Sequence, residues 1–83
     1  MSTKGLQTEF EFTLPRSQAV SLTVLDVAGR NVATLVAATL GPGPHRAPWD
    51  GRTNSGGLAP AGVYLCELRT EAGRVGRRFV VLP

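Results

Sequence analysis

From residue 6 to residue 14 the chain reads Leu6-Gln7-Thr8-Glu9-Phe10-Glu11-Phe12-Thr13-Leu14, and its two side-chain sets do not mix. Leu6, Thr8, Phe10, Phe12 and Leu14 fall on one side; Gln7, Glu9, Glu11 and Thr13 fall on the other. A repeat of two, with aromatics opposite carboxylates, marks a strand that rests one face on a core and turns the other to water. Pro15 stops it. Downstream, Val20, Leu22 and Val24 alternate with Ser21 and Thr23 as a second strand. Asp26-Val27-Ala28-Gly29 follows, with Asp at the first and Gly at the last position of a type I turn. That order closes a hairpin and starts a third strand near Arg30.

The next segment, Asn31 to Leu40, reads two ways. Val32, Leu35, Val36 and Thr39 or Leu40 fit helical spacing with Asn31 as a cap,. The hairpin turn before it, its β-branched residues and the breaker Gly41-Pro42-Gly43-Pro44 after it favour a strand,. His45 to Trp49 is extended, but Pro44 and Pro48 lack ladder donors, which makes it an edge strand at best. Asp50 to Gly57 consists of turn formers. Ala59-Pro60-Ala61-Gly62 leads into a strong strand, Val63 to Thr70, with Tyr64, Cys66 and Leu68 on one face. Glu71-Ala72-Gly73 is another hairpin turn, and Val75 to Leu82 runs out as the last strand.

Six or seven strands, with turn signals every eight to twelve residues or so, predict an all-β sandwich. Residues 1–5 are expected to be a flexible N-terminal segment or linker, and 6–83 the sandwich. Phe10, Phe12, Leu22, Val24, Trp49, Tyr64 and Leu68 are its expected core.

Composition narrows the function classes. The chain has 83 residues, 42% hydrophobic and 18% charged, which is neither disordered nor membrane-spanning in character,. The charge is +3, and every basic residue except Lys4 is arginine. Those arginines are scattered until Arg69, Arg74, Arg77 and Arg78, without the exposed aromatics that stack on bases, so nucleic acid is not the expected partner. Met1-Ser2-Thr3-Lys4-Gly5 is short and polar, unlike a signal peptide. One cysteine allows no internal disulfide and no multi-cysteine metal site,.

The candidate chemical residues read as structural. His45, the one histidine, has no carboxylate or cysteine at triad or ligand spacing,. Cys66 lies within an apolar strand and packs as a small hydrophobe. Asp50-Gly51-Arg52-Thr53-Asn54-Ser55-Gly56 alternates oxygen ligands as a calcium loop does, but Arg52 stands in the middle and no Glu closes it,. An Asx-stabilised turn accounts for these residues. Glu9 and Glu11 share a face, but it is the wet one, where charge keeps a strand edge from pairing. The expectation is a protein that is not an enzyme, with no cofactor and no metal.

Five segments in order carry a resemblance: Phe12-Thr13-Leu14-Pro15; Val24 to Val32; Trp49-Asp50-Gly51-Arg52; Ala61-Gly62-Val63-Tyr64; and Arg77-Arg78-Phe79-Val80-Val81-Leu82. Together they resemble the immunoglobulin-like domain family shared by the flagellar hook-capping protein and the C-terminal sorting domains of type IX secretion cargo. The resemblance implies an immunoglobulin-like β-sandwich of about seven antiparallel strands. Within it, Asp26 and Gly29 make the hairpin turn, and Trp49 is the large apolar plug, with Asp50-Gly51 turning the chain after it. Gly62 admits the strand that carries Tyr64 inward.

It also implies a non-catalytic C-terminal module that directs secretion or surface attachment of a longer protein. The alternative is a structural interaction or self-assembly module in a filament, a cap or an accessory domain. The partner is then a protein: secretion machinery, a preceding domain or copies of the chain. The expected location is extracellular or at the cell surface as part of a longer secreted chain, or cytoplasmic if 83 residues are the whole gene.

The last strand is expected to meet that partner. Phe79-Val80-Val81-Leu82 is apolar on both faces, so Phe79 and Val81, or Val80 and Leu82, pack inward and the other pair stays outside. Arg77 and Arg78 precede it and can steer an acidic surface.

Overall fold

The computed structural model describes residues 2–4 and 7–82, and the description below is confined to them. The elements are β1 (Ser2–Lys4), β2 (Gln7–Leu14), β3 (Gln18–Leu25), β4 (Asn31–Leu40), β5 (Gly43–Trp49), β6 (Gly62–Thr70) and β7 (Gly73–Val81). They form two antiparallel sheets, one in the order β1-β2-β5 and one in the order β4-β3-β6-β7. No helix occurs among the described residues, and none is therefore long and apolar enough to cross a membrane.

The alternation of β2 sets Phe10 and Leu14 into the interior, with Phe12 half-buried between them; Leu6 lies outside the described residues. Opposite it, β3 contributes Val20, Leu22 and Val24, all buried. One core cluster joins the sheets: Phe10, Leu22, Val24, Ala33, Ala47, Trp49, Ala59, Tyr64 and Cys66, with Phe12, Leu68, Phe79 and Val81 packed against it. Apolar side chains from both inner faces leave water together there, which is what holds two sheets face to face.

Asn31–Leu40 is a strand, and its helical spacing has a physical origin. Leu22 opposes Val36, Thr23 opposes Thr34, and Val24 opposes Ala33, so Leu35 is an extra residue on β4. Val32 is a second, between the pairs Val24–Ala33 and Leu25–Asn31. Each bulge inserts one residue and re-aims the following side chains. Inward positions Ala33 and Val36 therefore stand three apart, as they would on a helix.

Ser2–Lys4, within the stretch read as a linker, pairs with β2 through Ser2–Glu9, Thr3–Thr8 and Lys4–Gln7. The polar sequence gave no inward face to signal it. Among the described residues β5 pairs with β2 alone and ends its sheet on that side, in keeping with its two prolines,.

Candidate interaction surface

The β6–β7 hairpin carries the residues assigned to a partner. Its register runs from Gly62–Val81 to Thr70–Gly73 without a shift. Tyr64 therefore faces Phe79, and side chains alternate from there. Phe79 turns inward and meets Phe10 and Trp49 edge-on, at 5.3 and 5.7 Å between centroids, and Tyr64 in a tilted arrangement at 6.0 Å. Val81 also packs on the core. These two leave the contact surface assigned from sequence, because burying an aromatic between sheets outweighs leaving it in water.

Val80 and Leu82 are on the outside, 60% and 78% exposed. Val80 lies opposite Val63, itself 45% exposed, and Arg78 lies opposite Leu65. An apolar strip thus runs across the outer face at one end of the hairpin, with Arg78 on its border. Arg74 reaches Glu67 at 4.0 Å, where Arg69 already makes a 3.0 Å contact. Arg77 donates to the carbonyl of Gly76 at 3.2 Å, and neither Arg77 nor Arg78 meets a carboxylate among the described residues.

The remaining sequence-assigned residues are spread over the ends of the sandwich. Asp26 holds the β3–β4 turn: its carboxylate accepts from the amides of Ala28 and Arg30 at 3.0 and 2.9 Å and from the Arg30 guanidinium at 2.9 Å. The Arg30 amide and guanidinium together hold its carboxyl below the usual carboxylate value,. Gly29 closes the turn at φ +83°, where a Cβ would be strained, and donates to the Asp26 carbonyl at 2.9 Å,. Trp49 is buried with its indole N–H donating to the Arg52 carbonyl at 2.8 Å.

Asp50 accepts from the Arg52 amide at 3.0 Å, and Gly51 accepts from the Ala59 amide at 2.8 Å, which makes this loop a hydrogen-bonded turn. The Arg52 guanidinium donates to the Gly56 carbonyl, filling the loop with its own cation. Gly62 opens β6, and the Tyr64 hydroxyl donates back to the Pro60 carbonyl at 2.6 Å. The same back-bond pins tyrosine corners in immunoglobulin-like sandwiches.

His45 stacks on Phe12 across the β2–β5 pair at 5.5 Å, and its Nε2 donates to the Gly41 carbonyl at 2.7 Å. Cys66 is fully buried, and burial pushes its thiol up to about 12, out of nucleophile range,. Glu9 and Glu11 flank Arg46 at 3.9 and 3.2 Å on the wet face. No group of three His, Cys, Asp or Glu gathers among the described residues.

Two residues make contacts that the sequence did not foretell. Asn54 reaches from the β5–β6 loop to the edge of β4: its amide donates to the Val32 carbonyl at 2.9 Å and its Oδ1 accepts from the Thr34 amide at 3.0 Å. Gln18 is buried, accepts from the Glu71 amide at 3.0 Å and donates to the Arg16 carbonyl at 3.2 Å. Asn54 left no signal, because its partner is distant in sequence. Gln18 stands in phase with Val20, Leu22 and Val24 and was legible as an inward position.

These features define an immunoglobulin-like β-sandwich whose accessible chemistry lies on the strands of one hairpin. The chain belongs to the FlgD Ig-like domain family, whose model matches residues 1–73. Among solved structures it is similar to FlgD from P. aeruginosa, with 25% identity and a TM-score of 0.69. That match covers 95% of this chain and 64% of the FlgD chain, so the chain spans somewhat less than two thirds of the solved structure's length. No curated protein matches it.

Proposed function

We propose that the chain is a non-catalytic structural interaction module, an immunoglobulin-like domain that packs on protein neighbours in an assembly. The observation that carries this reading is the FlgD Ig-like match across residues 1–73 on a sandwich of the FlgD type. A hook-capping role is what the resemblance implies for the parent family, and a role in packing subunits or domains is its counterpart here. The module works as part of a longer chain, outside the cytoplasm or at the cell surface.

The surface suited to the role is the outer face of β6 and β7, where Val63, Val80 and Leu82 stand in water. Scattered exposed apolar residues are ordinary, but adjacent cross-strand ones lower the cost of covering that face. Sedimentation of the chain over a range of concentrations tests the reading with copies of the chain as the neighbour. Self-association that vanishes in the Val63→Thr/Val80→Thr variant, with thermal stability unchanged, is the expected result.

Sorting by a type IX machine is the second reading, with Arg77 and Arg78 ahead of the exposed Val80 and Leu82 as the end to be recognised. Export of a reporter fused to the chain in a type IX host, abolished by Arg77→Gln/Arg78→Gln, would put sorting first. No self-association would remove copies of the chain as the neighbour on this face, and no export would remove sorting.

A further inference from the structure

A sandwich has strand edges, and the four accounted for here differ in how they are closed. β1 is three residues long, which is too short to template another chain,. β5 carries Pro44 and Pro48, which offer no N–H,. β4 is interrupted by two bulges, and Asn54 already occupies its edge at Val32 and Thr34. β7 has none of these devices. It runs nine residues, Gly73–Val81, without proline or register shift, and among the described residues it pairs only with β6.

Charge is what guards this edge. β7 holds Arg74, Arg77 and Arg78 and no carboxylate. Glu67 on β6 serves Arg69 and Arg74, and Glu71 in the turn pairs with Arg16. Arg77 and Arg78 are adjacent, so the pleat sends one to each face of the sheet. A second β7 paired antiparallel over its full length would set Arg77 opposite Arg77, and like charges directly opposite are destabilising. In that register the edge therefore disfavours its own copy and favours a strand of opposite charge.

We propose that the free edge of β7 binds an extended acidic segment of another protein by strand addition, with two adjacent carboxylates straddling the sheet to meet Arg77 and Arg78. Main-chain hydrogen bonds supply the affinity, and the arginine pair selects the sequence. On the inner side the incoming strand also covers Val75, which is half exposed and stands beyond the aromatic cluster. This deepens the interaction-module reading and rests on it, but it concerns the strand edge and not the apolar outer face.

The probe is a labelled nine-residue peptide with two central glutamates flanked by threonine and valine. Its controls are the same peptide with lysines for the glutamates, and one with alternate amides N-methylated. Binding is read by fluorescence anisotropy at low and high salt, and its place by amide hydrogen exchange.

Binding by the glutamate peptide alone is expected, weakened about tenfold or more in Arg77→Gln/Arg78→Gln and accompanied by new protection of β7 amides. The proposal is overturned if the N-methylated peptide binds as well, because the carboxylates then meet arginines without strand addition. It is equally overturned by no binding, by equal binding of the lysine peptide, or by protection confined to another edge. The Val63→Thr/Val80→Thr variant separates the two readings. In that variant, peptide binding kept while self-association is lost upholds both. Peptide binding by the unsubstituted chain without self-association upholds the edge and removes the face, and the reverse result removes the edge alone.

Discussion

Trp49 shows how much of a thin core can rest on one side chain. It is 3% exposed, touches Tyr64 and Phe79 edge-on, and spends its only polar atom on the Arg52 carbonyl. Trp49→Ala removes an aromatic that neighbouring strands cannot collapse to replace, so a loss of ~3–5 kcal/mol is expected. A denaturant midpoint within error of wild type would show that the indole is not a keystone. Cys66 makes a second expectation at this scale. Its thiol sits at about 12 in the fold against ~8.5 in an unfolded chain,. It therefore stays protonated and inaccessible, and a thiol reagent at mildly alkaline pH should label it no faster than the chain unfolds. Ionisation favours the unfolded state once pH exceeds the unfolded value, so stability falls from there up to the folded value. Rapid labelling of the folded protein would contradict the burial of Cys66.

At the scale of elements, the β3–β4 hairpin depends on one carboxylate. The Asp26 carboxyl is held below its ordinary value by the Arg30 amide and guanidinium. A depressed carboxyl stabilises the fold above its unfolded value and loses that contribution as pH falls through the folded one. Acid titration of stability should therefore show a step at the low end of the carboxylate range that is reduced in Asp26→Asn. An unchanged acid profile in that variant would assign the step to another acid. This turn was legible from Asp26 and Gly29 because its hydrogen bonds are local. The two bulges of β4 were not, because an inserted residue moves the inward set to a three-residue spacing that imitates a helix. β1 was hidden for a different reason: three polar residues carry no periodicity, and only their pairing with β2 reveals them. On the candidate surface, sequence limited the inward pair of the last strand to two options. Only the Tyr64–Phe79 register chose between them.

At the scale of the molecule, two sheets of unequal width share one core, and Phe79 is where that sharing is most direct. It stands on β7 of the four-stranded sheet and meets Phe10 and Trp49 of the other. Were the sheets independent, β6 and β7 could peel away while β2 and β5 stayed paired. The aromatic cluster opposes that, because separating the sheets exposes Phe10, Trp49, Tyr64 and Phe79 together. The chain should therefore unfold in one transition, with Trp49 fluorescence and the far-ultraviolet signal of the strands changing at the same denaturant concentration. A cycle of Trp49→Ala, Phe79→Ala and the double variant measures the link itself. Perpendicular rings 5.7 Å apart imply a coupling of about 0.5–1.5 kcal/mol beyond the area each buries,. Strictly additive losses would mean that the two rings contribute separately to their own sheets. An earlier fluorescence transition followed by loss of strand signal would show the sandwich opening before its sheets dissolve, with the hairpin that carries the binding edge able to detach alone.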